Sequence, residues 1–448
     1  MADIDAIFKA YDVRGLAPEQ LDADLSRNIG AAFARFVADE DGTRSIVLGH
    51  DMRPTGPEFA TAFAEGAMSQ GVDVIHIGLV STDMLYYASG TLDIPGAVFT
   101  ASHNPAEYNG IKMCRKAAGP IGGETGLDAI KEMARSLLPA VETPGSLTER
   151  NMLDDFADHV LSFIDVSKLK PLKVIADTAN GMGGLVVPAV FDRLPFDLEI
   201  MYPELDGTFP NHPADPLNEA NQVDLKKRVL ETGADIGLAF DGDADRVFLV
   251  DAQAEGVSGS LTTALVARQV LEREAGATII HNLICSKVVP ELVTEMGGTP
   301  VRTRVGHSFI KNVMKETGAA FGGEHSGHYY FRDNFRADSG LIAAVVVLAA
   351  MCEADQTLTE MVSSLRRYDA SGEINTRVDD VHAVIEKVSA AYADHGQDRM
   401  DGLTVDCGDW WFNLRPSNTE PLLRLNLEAA DAAAVAARVA EVQAHMAA

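Results

Sequence analysis

Short apolar runs alternate with longer amphipathic stretches through most of this chain, the pattern of strands and helices stacked in α/β layers. Residues 45–49 (Ser-Ile-Val-Leu-Gly) predict a strand, residues 57–71 a helix closed by glycine, and residues 72–77 and 97–99 further strands. A polar stretch with proline and glycine at 139–145 predicts a first boundary. A second unit opens on the apolar run 172–176 and ends in a hairpin, with 236–240 and 247–250 as strands and an acidic turn between them. A third follows, with strands near 278–284 and 319–322. The apolar run 341–351 is about half of the ~20 residues a membrane span needs, so it predicts a buried helix. After residue 369 the pattern changes to short strands, of which 410–414 and 423–427 flank an arginine-bearing turn, and to an alanine-rich helix over 430–447. The predicted units are therefore 1–145, 146–250, 251–368 and 369–448, with no repeat visible in the residues themselves.

Length agrees with this division, because 448 residues at about 150 per domain give three or four. With 46% hydrophobic and 23% charged residues the chain is built to fold into cores. A formal net charge of −29 repels nucleic acid and anionic membranes and argues against both as partners. It also means that any anionic ligand must be met by positive charge focused locally, for which Arg14, Lys112, Arg246, Lys287 and Arg415 are candidates. Cys114, Cys285, Cys352 and Cys407 form no CxxC pair, so neither a zinc site nor a secreted disulfide framework is expected. Asp3 and Asp5 at the start do not fit a secretory leader, and a cytoplasmic location is expected.

Four segments carry chemistry. Asp241-Gly242-Asp243-Ala244-Asp245-Arg246 places carboxylates at alternate positions, where a turn lets them converge on one hard cation, Mg²⁺ above all. A calcium loop needs glycine sixth and glutamate twelfth, and Arg246 and Ala252 stand there. An ordinary acidic turn would carry the repulsion of three carboxylates with nothing to offset it. Thr100-Ala101-Ser102-His103-Asn104-Pro105 puts a hydroxyl where a strand gives way to a loop, without the GxSxG elbow of a serine hydrolase and with His103 poorly placed as its base. Beside a metal, a phosphorylated Ser102 can be a ligand and its phosphate can be polarised for transfer. Glu324 and Ser326, in Gly323-Glu324-His325-Ser326-Gly327-His328, suit neighbouring hydroxyls of a sugar. Arg415, with Ser417, Asn418 and Thr419 between two prolines, suits a phosphate held by a guanidinium fork. The glycine cluster at 177–184 fails as a dinucleotide motif, because the third glycine falls on Val186; it predicts a tight strand-to-helix turn.

These segments, in this order, together with Phe8-Lys9-Ala10-Tyr11-Asp12-Val13-Arg14-Gly15 and Val305-Gly306-His307-Ser308, resemble the α-D-phosphohexomutases over nearly the whole chain, and within them the phosphomannomutase/phosphoglucomutase branch. The resemblance implies three tandem mixed α/β-sheet domains of similar topology and a smaller α+β C-terminal domain, arranged around a central cleft. It implies reversible conversion of hexose 6-phosphate to hexose 1-phosphate through a hexose 1,6-bisphosphate, with Ser102 as the phosphoserine. Mg²⁺ would be held by Ser102, Asp241, Asp243 and Asp245. His328 would serve as base, with Lys112, Arg14 and Arg246 supporting proton movement and charge. Glu324 and Ser326 would read the 3- and 4-hydroxyls, and Arg415, Ser417, Asn418 and Thr419 would bind the phosphate that is not transferred. Tyr11, His103, Lys287 and His307 fall at positions implied to line the substrate site. The small-molecule partners are phosphosugars, and monomer and homodimer stay open. Lys9 and His325 depart from the arginine and methionine of many relatives. The proline–serine–asparagine–threonine order at 416–419 points away from phosphoglucosamine mutases. A Mg²⁺-dependent sugar phosphatase is the rival within the same chemistry; an idle sugar-phosphate sensor would have no need of nucleophile, carboxylates and base together.

Overall fold

Among the described residues, three of the four sheets repeat one arrangement. The computed structural model describes residues 3–416 and 422–447. In the first sheet a row of four has Asp73–Leu79, Ser45–His50 and Gly96–Phe99 parallel in that spatial order, then Tyr108–Arg115 antiparallel to Gly96–Phe99, and the strand Val13–Leu16 pairs antiparallel with the outer edge of Tyr108–Arg115. The second sheet has Asp197–Met201, Lys173–Asp177 and Ile236–Phe240 parallel, then Val247–Asp251 antiparallel. The third has Thr299–Thr303, Thr278–Asn282 and Phe321–Gly323 parallel, then Tyr329–Phe331 antiparallel. In chain order each row reads second, first, third, fourth. The fourth sheet is different, with all five strands antiparallel: Asp369–Arg377, Leu422–Ala429, Trp411–Pro416, Leu403–Asp406 and Gly396–Asp398. The expected class, three similar α/β units and an α+β unit, is the observed one.

Local chemistry sets the elements. The strands Ser45–His50 and Ile236–Phe240 are buried almost throughout, as strands covered on both faces by helices must be. The helix Ala23–Asp41 starts where the Asp22 carboxylate accepts the Leu25 N–H at 2.8 Å and stops at Gly42, whose φ of 65° a side chain would resist. The helix Gly340–Ala354 is buried on every side, from Gly340 to Cys352, and packs at the centre of the largest core; among the described residues no helix is long and apolar enough to cross a membrane. Two unit boundaries differ from the pattern read in the sequence. Leu147–Glu149 pairs with Asp73–Leu79 and extends the first sheet past residue 145, and Gly256–Val257 extends the second past 250. Both are short edge strands without a buried apolar run, so the hydrophobic pattern could not announce them.

Candidate active site

The repeated topology places one turn per unit at the same point, between the third and fourth strands. In the first unit this turn carries Ser102, in the second the three aspartates, in the third Glu324, Ser326 and His328. The three turns meet. A Cβ on Gly242 would stand 2.4 Å from the Ser102 carbonyl oxygen, so glycine is required for the acidic turn to lie against the serine loop. Arg246 and His328 form an antiparallel bridge that ties the acidic turn to the third unit.

Ser102 is buried and held in the left-handed region with a φ of 49°, a conformation costing about 1–3 kcal/mol for a non-glycine residue. Its hydroxyl donates to Asp241 Oδ2 at 2.8 Å and accepts from the Arg246 guanidinium at 3.1 Å. His103 Nδ1 lies 3.3 Å from the same hydroxyl but takes a very short hydrogen bond from Arg246, whose charge, with burial, holds the imidazole well below its usual pKa. His103 therefore stays neutral with its nitrogen occupied.

The carboxylates of Asp241, Asp243 and Asp245 are all buried, each offering an oxygen within 4.8 Å of the others. Lys112, on the antiparallel strand of the first unit, reaches across to Asp243 at 2.7 Å and Asp245 at 2.6 Å. Thr82 donates to Asp243 at 2.5 Å. Burial works against the Lys112 ammonium, yet the two carboxylates outweigh it and keep it charged. Arg246 pairs with Asp241 at 2.8 Å. Two cations thus face three carboxylates in a volume shut off from water, and burial pushes Asp241 up to about 6 and Asp245 well above the usual range. Among the described residues, nothing donates a hydrogen bond to Oδ1 of Asp243 or of Asp245. Orphaned acceptor oxygens with surplus negative charge fit a hard divalent cation.

In the third unit the buried Glu324 carboxylate accepts from Tyr330 Oη at 2.8 Å, the Gly306 amide at 3.1 Å and Asn282 at 3.2 Å, while burial raises its pKa. Three donors leave about one of a carboxylate's roughly four acceptor positions for a ligand. Ser326 Oγ and His328 Nδ1 are 2.9 Å apart. His328 Nε2 lies 3.8 Å from Asp245 and 4.0 Å from Asp338, so the ring stands between the sugar-type turn and the acidic turn. Asp338 is met from behind by the buried Lys311 at 3.6 Å, itself 3.5 Å over the Tyr86 ring.

Arg14, on the strand Val13–Leu16, reaches Asn104 Oδ1 at 2.7 Å and Asp12 at 2.6 Å, joining that strand to the serine loop. Tyr11 lies close to Gly306, and burial together with Asp12 and Glu324 raises its pKa. Lys287 faces the fourth unit, with its ammonium 3.0 Å from Asp406. Arg415 sits on the strand Trp411–Pro416 and pairs with Glu373 at 2.9 Å. Ser417, Asn418 and Thr419 lie outside the described residues; His307 opens the helix His307–Thr317, and its side chain is likewise outside them. All five cations singled out in the sequence thus have carboxylate partners: Asp12, Asp243 with Asp245, Asp241, Asp406 and Glu373.

Sequence reasoning missed Arg53, Thr82, Asp338 and Lys311. The available signal was the Asp51-Met52-Arg53 run immediately after a strand, where α/β folds keep ligand chemistry.

Comparison with known proteins agrees with this fold. Models of phosphoglucomutase/phosphomannomutase α/β/α domains I, II and III match residues 5–138, 154–256 and 258–368, and that of the C-terminal domain matches 373–445. Phosphohexose mutases of Xanthomonas campestris pv. campestris are 40% identical over 441 residues, covering 97% of this chain and 98% of theirs. A phosphomannomutase of Salmonella montevideo is 41% identical over 433 residues, 94% of each chain. The crystal structure of a phosphoglucomutase/phosphomannomutase family protein from Burkholderia thailandensis superimposes with a TM-score of 0.91 at 31% identity, covering 100% of this chain and 97% of that one. A fold of three repeated α/β units whose turns bring a serine, an acidic triad and a polar turn together defines a phosphohexomutase. This chain belongs to the phosphoglucomutase/phosphomannomutase family.

Proposed function

We propose that the chain interconverts hexose 6-phosphate and hexose 1-phosphate, with mannose or glucose as the sugar, through a phosphoserine and a hexose 1,6-bisphosphate. The observation that carries this reading is the Ser102 hydroxyl, 2.8 Å from Asp241 and 3.1 Å from the Arg246 guanidinium, brought together from positions 139 and 144 residues apart. A nucleophile beside carboxylates that can hold a cation, with a guanidinium on its oxygen, is equipped to carry a phosphoryl group, because such transfer depends on positioning and charge more than on covalent chemistry. Asp241, Asp243 and Asp245, with Ser102, would hold Mg²⁺, which when bound would polarise the phosphoryl oxygens and offset their charge.

Placement supports a role for each of the remaining residues. Arg246 holds charge at the transferring group. Lys112, fixed as a cation between two aspartates, supplies charge rather than protons. His328 takes the proton from the attacking sugar hydroxyl, and Arg14 steadies the serine loop through Asn104. Glu324 and Ser326 hold two adjacent hydroxyls in either of two flipped poses, and Arg415 holds the distal phosphate.

The test is priming. Enzyme shown by mass spectrometry to lack phosphate should be inactive until glucose or mannose 1,6-bisphosphate is added, and should then carry one phosphate on Ser102. Full activity without phosphate and without bisphosphate would defeat the mechanism, and phosphate release without an isomerised product would identify a phosphatase.

A further inference from the structure

The residue that shapes the serine loop is Arg53, which the sequence did not single out. Arg53 follows the strand Ser45–His50, and its side chain is wholly buried. Its guanidinium donates to four backbone carbonyls, three in the serine loop, Ser102 at 2.9 Å, Asn104 at 2.7 Å and Pro105 at 2.8 Å, and one where that loop enters the strand Tyr108–Arg115, Tyr108 at 2.8 Å. All four terminal N–H groups are used. Nε faces the buried Asp51 carboxylate at 3.4 Å, and Asp51 also accepts the Arg53 amide at 2.9 Å. The Phe209 ring of the second unit lies 5.2 Å from the guanidinium carbon.

This is a template for a loop that has no sheet of its own to pair with. Four carbonyls turned inward, away from water, need donors. A planar fork with fixed N–H directions meets all of them at once, which an ammonium with three donors cannot do. The Ser102 carbonyl is the critical one. It is held from one side by Arg53 and approached from the other by Gly242 of the acidic turn. That carbonyl fixes the left-handed backbone at Ser102, and the backbone fixes where the hydroxyl points.

We infer that Arg53 is the positioning residue that keeps the Ser102 hydroxyl in register with the acidic turn through both phosphoryl transfers. This rests on the mutase reading. Arg53 touches the loop's carbonyls, so it acts on the rate of transfer and leaves recognition of the sugar phosphate to other groups.

The test is Arg53→Lys, which keeps the charge and loses the fork. A misplacement near 1 Å costs about a hundredfold in rate. The expected result is therefore a kcat about a hundredfold lower with KM for hexose 1-phosphate within about threefold. Phosphorylation of Ser102 by glucose 1,6-bisphosphate, followed by intact mass, should slow by the same factor. Arg53→Ala should regain activity with added guanidinium and not with ammonium at equal ionic strength. Wild-type kcat in Arg53→Lys, or losses confined to KM, would overturn the inference. If Arg53→Lys does not fold, Asp51→Asn asks the same question, because it keeps an acceptor for the Arg53 amide and removes the charge facing Nε. A lowered kcat at constant KM then supports the inference, and wild-type kcat overturns it. If the wild-type protein takes no phosphoryl group from the bisphosphate, the mutase reading fails separately. Amide exchange over 102–108 then decides: faster exchange confined to that loop in the variant supports the positioning role, and unchanged protection overturns it.

Discussion

The first three units and the fourth are joined in different ways. One hydrophobic core runs through the first three, with Val47 and Val98, Val174 and Phe240, and Ala264 and Leu348 in the same cluster. The fourth unit has its own core around Val388, Phe412 and Leu425. Polar joins repeat the contrast. Between the first three units they are buried: Asp83 takes the Ser339 hydroxyl at 2.6 Å, Thr82 reaches Asp243 at 2.5 Å and Lys112 spans two aspartates. To the fourth unit the join is partly open: the Lys287 ammonium pairs with an Asp406 that is 62% exposed, while the buried Glu428 accepts the Lys287 amide at 2.9 Å. The groups proposed for chemistry thus sit in a fixed body, and the arginine proposed for the distal phosphate sits on a separate one. Fixed groups suit a transition state whose stabilisation depends on preorganisation, and a separate phosphate clamp suits binding that closes over the substrate.

If that contrast is right, damage to the fixed body should be the more severe. Ser102→Ala should lower kcat on the order of 10⁴-fold or more, since it removes the phosphoryl carrier and with it the reaction path. Turnover of the variant within tenfold of wild type would place the carrier elsewhere. Lys112→Met should lose stability as well as activity. Stranding two buried carboxylates costs about 3–5 kcal/mol, and added Mg²⁺ should restore part of it by replacing the missing charge. Denaturant unfolding with and without Mg²⁺ measures both; a midpoint unchanged in either condition would deny the triad its cation.

Asp83 probes the join itself. Burial raises its carboxyl to about 7, against hydrogen bonds from Ser339 and Ser81 that favour the ionised form. A raised folded pKa means that the folded state binds this proton more tightly than the unfolded chain does, so its contribution is complete below pH 3.8 and is lost as pH climbs to about 7. Relative to Asp83→Asn, wild-type stability should therefore fall by a few kcal/mol between pH 4 and 7. Parallel curves for the two proteins would mean that Asp83 is ionised throughout. In the fourth unit the effects should be smaller and fall on binding. Arg415→Ala should raise KM about 10- to 100-fold, the loss of a charge-assisted hydrogen bond or two, with a lesser drop in kcat. Solution scattering should show the wild-type protein becoming more compact with substrate; an unchanged profile at saturation would leave Arg415 a binding residue and remove the closure.

The sequence announced the hairpin at 236–250 because both strands are unbroken apolar runs, and the three aspartates because alternate carboxylates in a turn have few other uses. It did not announce the strand Tyr108–Arg115. That strand carries Asn109, Gly110 and Lys112, and its lysine is buried because its partners come from another unit, about 130 residues away. Arg53 escaped for a similar reason: its acceptors are backbone carbonyls, which have no residue type to recognise. The repeat itself was invisible in the residues and plain in the strand order, since topology survives where side chains have diverged. Local chemistry is legible in a sequence, whereas pairing across units is not.

The smallest predicted effect concerns Glu373, and it turns on how so acidic a protein binds a dianion. All five candidate cations carry carboxylate partners, and at Arg415 that partner is Glu373, 2.9 Å away and also 3.5 Å from Arg424. A phosphate arriving at Arg415 must displace or share this carboxylate. Part of the attraction it gains is therefore offset by an ion pair lost, and by repulsion from a charge that stays nearby. Because the pair is partly exposed, at 12% and 30%, it is worth only a fraction of a kcal/mol to about 1 kcal/mol. Glu373→Gln keeps the shape and removes the competing charge. It should lower KM for both hexose phosphates about two- to fivefold, leave kcat within a factor of two, and steepen the rise of KM with ionic strength, because the attraction that salt screens is larger once the site is one unit more positive. Arg415→Ala in the same background should erase the gain, since the two side chains act on one phosphate. A raised KM in Glu373→Gln would instead mean that the carboxylate orients the guanidinium for its ligand and that the separate body is as preorganised as the fixed one.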